Sequence, residues 1–168
     1  MSTLWLVGMP GVGKSSVGPR VAYAVGADFV DLDQVVALGA GCDIGRIFAD
    51  EGEEGFRIKE RAALESMAGS PIVVACGGGI VDDPVNIATM RSRGRVAWLD
   101  APVSVLLSRV GDGAGRPMLA GDAKYRLTAL QRRRKSKFES AAHRRFDAAA
   151  QNPEEIAKES VQWWRSRQ

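Results

Sequence analysis

The chain has 168 residues, 45% hydrophobic and 26% charged, with 23 Lys and Arg against 20 Asp and Glu for a formal charge of +3. That length suits one compact domain whose core needs neither disulfides nor a structural metal. A basic excess this small, even with a pI near 9.1, does not mark a nucleic-acid or membrane-surface protein, and the lack of an 18-residue apolar run excludes a transmembrane helix.

The opening stretch Met1–Gly8 has no basic n-region, so no secretory leader is expected. Cys42 and Cys76 have no metal-ligand partners at recognisable spacing and read as reduced thiols of a cytoplasmic protein. The single histidine, His143, lies in a basic stretch and reads as a solvated surface residue.

In chain order, Leu4–Val7 is a short apolar run before a glycine, which predicts a buried parallel strand. A helix is expected over about 14–25, then a second strand through Phe29 and Val30 that ends at Asp31 and Asp33. Two helical stretches follow, roughly 44–50 and 53–67, before a strand over 71–75 that runs into Gly77, Gly78 and Gly79. Asp83-Pro84 predicts an N-cap and first helical position for a helix to about Arg91. A strand over 96–99, a helix over 102–109 and a glycine-rich loop over 110–122 come next. The last elements are a long helix over 124–142, a short strand at 146–148 and a helix opened by Asn152-Pro153-Glu154-Glu155. Strands alternating with helices imply a parallel sheet covered on both faces.

Gly8-Met9-Pro10-Gly11-Val12-Gly13-Lys14-Ser15 satisfies G-x-x-x-x-G-K-[ST] at every fixed position and stands between a strand and a helix, as that motif requires. The glycines let successive N–H groups turn toward phosphate oxygens at a helix N-terminus. Lys14 can reach the β- and γ-phosphates, and the Ser15 hydroxyl can ligate Mg²⁺. This cradle alone does not separate a hydrolase, a GTPase and a small-molecule kinase, but no N/T-K-x-D segment is present, which counts against a GTPase.

Asp31 and Asp33, two apart at the end of a strand, would share one face at the ligand-binding edge of a parallel sheet. The alternative is a turn-and-cap pair. Glu60 follows Arg57 by three residues on one helix face, so it can orient that guanidinium toward a carboxylate, or serve only as a surface pair. Three consecutive glycines at 77–79 cost conformational entropy that a plain turn avoids, which points to close approach of a ligand.

Between Arg109 and Arg145 there are eleven Lys and Arg against three Asp and Glu. Leu127, Leu130, Phe138 and Ala142 form one helical stripe, and Arg134 falls inside it, whereas Arg132, Arg133 and Lys135 point elsewhere. An arginine on a buried face must meet an anion, so Arg134 is assigned to a ligand. Arg116, on the glycine-rich loop, suits a lid that closes over the γ-phosphate.

These motifs together resemble the shikimate kinase family of nucleoside-monophosphate-kinase-like P-loop proteins, over about residues 3–165. The resemblance implies a three-layer α/β/α P-loop kinase fold with a central five-stranded parallel sheet in the order 2-3-1-4-5. It implies one domain over 1–168, with a substrate-binding helical region at about 33–60 and a lid at about 110–122. The implied reaction moves the γ-phosphoryl group of ATP to the 3-hydroxyl of shikimate, on the route to chorismate. By the same resemblance Asp33, Arg57, Gly78 and Arg134 bind shikimate, with Asp33 also the base. Gly11, Val12, Gly13, Lys14, Ser15, Ser16, Arg109, Arg116 and Pro153 hold ATP, Lys14 and Arg116 stabilise the transferring group, and Ser15 and Asp31 hold Mg²⁺. Departures from the family pattern are Leu32 for a small hydroxyl residue, Ser16 for threonine and Phe138 for tyrosine. A monomer acting on a small molecule, without nucleic-acid or membrane partners, is expected.

Two rivals remain at this stage. One is a kinase of the same fold for another carboxylated polyol, such as gluconate or a cyclitol. The other is a nucleotide- or nucleic-acid-binding module using the basic helix, which needs Arg134 to face water.

Overall fold

A computed structural model describes residues 2–67, 69–110 and 122–166. Five strands, β1 (Thr3–Val7), β2 (Asp28–Asp31), β3 (Ile72–Ala75), β4 (Gly94–Asp100) and β5 (Arg144–Asp147), form one sheet in the order β2-β3-β1-β4-β5. Every neighbouring pair runs parallel. The helices that flank it are α1 (Lys14–Val25), α2 (Leu32–Ala40), α3 (Ile44–Met67), α4 (Pro84–Arg93), α5 (Val103–Val110), α6 (Ala123–Ala141) and α7 (Pro153–Arg165). The expected sheet order and strand–helix alternation are therefore present. The central strand β1 is wholly buried, as a strand covered on both faces must be.

Three elements differ from the expectations. First, β2 ends at Asp31, and Leu32 begins a helix that the apolar pattern does not announce. Asp31 is its N-cap: the Oδ1 atom accepts the Asp33 amide at 3.0 Å. Asp33 therefore lies in the first turn of α2 and not beside Asp31 on a strand face. Two carboxylates at a helix N-terminus are favoured by its dipole. Second, the stretches expected at 44–50 and 53–67 are joined as α3, but Gly52 breaks the run with φ 69° and ψ −172°. Third, His143 is half-buried and not solvated: its Nδ1 accepts the Val96 amide at 3.0 Å, while its own amide donates to the Val96 carbonyl.

That ring nitrogen accepts only when unprotonated. Burial foremost, then the charges of Arg91 and Arg95, lower the His143 pKa below the usual imidazole value. The folded chain thus binds fewer protons than the unfolded chain just below pH 6.5, so this contribution to stability is full above that pH and fades as the pH falls. Between pH 7 and 5 the Tm of a His143→Asn variant, which keeps an acceptor, should fall less steeply than that of the parent. Parallel melting curves over that range would contradict this.

Tight packing fixes the direction of α1. A Cβ on Gly18 would stand 2.7 Å from Phe29 Cδ2 and 3.2 Å from Leu6 Cδ1. Gly18→Val is expected to destabilise by about 2 kcal/mol through overpacking, lowering Tm by roughly 4–8 °C in a chain of this size. Calorimetry showing an unchanged Tm would mean that the ring yields freely.

Candidate active site

The site assembles at the carboxyl ends of β1, β2 and β3, where open parallel sheets bind ligands. β1 delivers Gly8–Gly13, β2 delivers Asp31, paired in register with Ala75 of β3, and β3 delivers Cys76 and the three glycines.

In the loop, Gly11 (φ 81°) and Gly13 (φ 109°) take left-handed conformations that a side chain would strain. Gly13 is the N-cap of α1 and offers no capping side chain, and the first turn of α1 holds no acidic residue. The leading amides and the positive end of the helix dipole are thus kept for an anion, which fits a nucleotide phosphate. Lys14 Nζ donates to the Gly8 and Met9 carbonyls at 2.8 and 3.1 Å, so the ammonium spans the mouth of the loop. Ser15 and Ser16 are exposed on the first turn. Ser15 and Asp31 both offer oxygen, the donor that a hard Mg²⁺ ion takes.

Arg109, from the last turn of α5, donates to the Val12 carbonyl at 3.0 Å and to the Ala148 carbonyl at 2.9 Å. It ties the phosphate loop to the segment between β5 and α7, and Pro153 opens α7 at the far end of that segment. Asn152 caps α7 in a capping box with Glu155, as the sequence indicates.

Glycines 77–79 carry the remaining geometry. A Cβ on Gly77 would lie 2.9 Å from Asp33 Oδ1 and 3.4 Å from Glu60 Oε1. On Gly78 it would lie 3.0 Å from Pro10 Cδ of the phosphate loop and 3.5 Å from Arg134 Nη1. On Gly79 it would overlap the Arg57 guanidinium, with Nη1 at 2.6 Å. The structure therefore brings Asp33, Arg57 and Arg134 to three successive glycines, beside the loop that suits phosphate.

Arg57 Nη1 donates to Glu60 Oε2 at 2.8 Å, and Nη2 donates to Glu53 Oε1 at 3.2 Å. Glu60 is fully buried and its Oε1 has no hydrogen-bond partner. Burial pushes this carboxyl up to about 7, against the pull of Arg57. The Glu60–Arg57 contact is thus more than a surface pair. Cys76 is buried behind the glycines, and burial holds its thiol protonated.

Arg134 is buried in the stripe of α6 with Leu127, Leu130 and Phe138, although Ala141 closes that stripe and Ala142 is the C-cap. The anion that it meets, however, is part of the chain. Asp82 Oδ2 accepts from Arg134 Nε at 3.0 Å and Nη2 at 2.9 Å. Burial of Arg134 on its own consequently does not demand a ligand. Asp82 also accepts from Arg133 at 3.1 Å and Lys137 at 2.8 Å, and these cations lower its pKa to about 2 against the opposing effect of burial. Arg132, Arg133 and Lys135 are exposed, as the helical spacing predicts. Asp82 was not found by sequence reasoning; only its neighbour Asp83 was legible, as the cap of α4 that accepts the Val85 amide at 2.8 Å.

Of the other family departures, Leu32 is fully buried in the core and Phe138 stacks on Trp98 with centroids 5.8 Å apart. Both side chains are core packing, Leu32 between Asp31 and Asp33 in the chain and Phe138 one helical turn after Arg134. Arg116 and the lid expected at 110–122 fall almost wholly outside the described residues, which exclude 111–121.

This fold and this site define a P-loop phosphotransferase of the small-molecule kinase type. The family model for shikimate kinase matches residues 10–165. A shikimate kinase of Synechococcus sp. (strain RCC307) is 42% identical over 164 residues, covering 96% of this chain and 83% of that one. Among solved structures, the shikimate kinase from Acinetobacter baumannii in complex with shikimate superposes with a TM-score of 0.94 at 29% identity, covering 100% of this chain and 95% of the other. The shikimate kinase of Aquifex aeolicus reaches 0.83 at the same identity, over 95% and 94% of the two chains. The chain belongs to the shikimate kinase family, and it is an ATP-using kinase.

Proposed function

We propose that the chain transfers the γ-phosphoryl group of ATP to the 3-hydroxyl of shikimate, giving shikimate 3-phosphate and ADP, as one domain acting as a cytoplasmic monomer. The observation that carries this reading is the convergence of Asp33, Arg57 and Arg134 on glycines 77–79, with Pro10 of the phosphate loop against Gly78. Two guanidinium groups beside bare backbone suit a small carboxylate, and a nearby aspartate suits hydroxyls.

In this reading Arg57 and Arg134 grip the shikimate carboxylate against the Gly78 backbone, and Asp33 accepts the proton of the attacking hydroxyl. The new bond forms between that oxygen and the γ-phosphorus as the β–γ bridging bond breaks, and ADP leaves. Lys14, with Arg116 from a lid over about 110–122, offsets the charge that spreads over the phosphoryl oxygens. Gly11, Val12, Gly13, Lys14, Ser15 and Ser16 line the phosphates, with the Val12 and Ser16 amides also donating to the Met9 and Gly13 carbonyls. The Arg109 fork is committed to two carbonyls, so its plane is what it offers to the adenine, which Pro153 at the start of α7 would border. Ser15, and Asp31 through water, would hold Mg²⁺, which when bound would neutralise phosphate charge. The test is ADP release that depends on both shikimate and Mg²⁺, run beside gluconate and a cyclitol. Release with gluconate or the cyclitol, but not with shikimate, would refute the proposal.

A further inference from the structure

We infer that Asp82 is a positioning residue: it aims Arg134 at the substrate carboxylate and links that arginine to the glycine backbone opposite. The inference rests on the shikimate-binding reading above and names a residue that the reading does not use.

A guanidinium is planar and rigid, so fixing one edge fixes the direction of the other. Asp82 takes the Nε–Nη2 edge of Arg134 with a single oxygen, and the remaining nitrogen, Nη1, faces the Gly78 position. The side chain that is steered is buried, 3% exposed, so water does not compete for this edge as it would at the surface. Asp82 is itself held from outside by Lys137 on its other oxygen and by Arg133.

The chain connection is as tight as the side-chain one. Residues Ile80–Asp82 form a 3₁₀ turn directly after the glycines, with the Ile80 amide donating to the Gly77 carbonyl at 3.1 Å and the Asp82 amide to the Gly79 carbonyl at 2.9 Å. The same short turn therefore sets both the glycine backbone and the anchor of Arg134. Asp83, the next residue, accepts from Arg61 Nε at 2.9 Å and so fastens the turn to α3, the helix that carries Arg57.

The opposite electrostatic expectation is explicit. If Asp82 acted only as a competing anion, removing it would leave Arg133, Arg134 and Lys137 unopposed and would tighten carboxylate binding. Orientation wins here because an unanchored arginine must give up its rotamer freedom each time it binds.

The experiment is steady-state kinetics of Asp82→Ala and Asp82→Asn against both substrates, with thermal melts. Asp82→Ala should raise the KM for shikimate about tenfold, with a smaller fall in kcat and little movement in the KM for ATP. Asp82→Asn, which keeps an acceptor of the same shape without the charge, should recover most of that loss. An unchanged or lowered KM for shikimate in a folded Asp82→Ala chain overturns the inference, as does a rise of equal size in both KM values, which a merely structural role would give. If Asp82→Ala does not melt cooperatively, Asp82→Ser takes its place and is read by the same outcomes. A wild-type chain inert toward shikimate rejects the function instead, which separates the two failures.

Discussion

Replacing Arg57 or Arg134 by alanine is expected to weaken shikimate binding by one to two orders of magnitude while ATP binding stays within about twofold, since a hydrogen bond to a charged group contributes about 1.5–3 kcal/mol. The two variants should differ in stability. Arg134→Ala leaves Asp82 still paired with Arg133 and Lys137, so no charge is stranded, and the cost is the packing lost from α6. Arg57→Ala removes the partner of Glu60, which has no exposure to water. Burial already pushes that carboxyl to about 7. Without Arg57 it moves higher still and takes up a proton rather than remaining a buried anion. The folded-state pKa lies above the unfolded one, so stability contributed by this group is present at low pH and is lost as pH rises through 7. Arg57→Ala should therefore melt closer to the parent at pH 5.5 than at pH 8.5, and adding Glu60→Gln should remove most of that difference. Titration calorimetry showing parental shikimate affinity in either arginine variant would reject the clamp.

What sequence could reveal depended on how far apart the interacting residues lie. The phosphate loop is eight contiguous residues between a strand and a helix, so its conformation is written locally: Gly11 and Gly13 take left-handed conformations and the helix starts at Lys14. The stripe of α6 is equally local: positions three and four apart decide which side of a helix is buried, and Arg134 is buried as that spacing requires. The identity of its anion is not local. Asp82 sits 52 residues earlier, and nothing in either segment announces the pairing.

The aspartates of β2 failed for a different reason. A four-residue edge strand followed at once by a helix leaves too short a run for its period to be read, so the spacing alone fits a shared strand face and a turn-and-cap pair alike, and the structure has the cap. An aspartate with a second acid two residues on is also a helix start, and that signal, the capping preference, was the better guide. The error displaces Asp33 by one element but not from the site: the first turn of α2 still presents it to Gly77.

Lys14→Met is expected to lower kcat by about two to three orders of magnitude, the effect of removing one preorganised donor from a developing charge. The ammonium already stands across the mouth of the loop, donating to the Gly8 and Met9 carbonyls, so it is held in place before any phosphate arrives. Preorganisation of this kind avoids reorientation as charge develops on the transferring group. The same two hydrogen bonds brace the loop, and methionine forfeits them, so ATP affinity should fall as well. Lys14→Arg separates the roles. Its charge and donors can still brace carbonyls, but a planar fork cannot occupy the place of a point charge between two phosphates. It should therefore recover ATP binding more than kcat. Melting temperatures near the parent value would show that neither change disturbs the fold, since β1 and α1 are fixed by their own packing. Turnover within about threefold of the parent in Lys14→Met, with both substrates saturating, would remove Lys14 from the chemistry and leave it a loop brace alone.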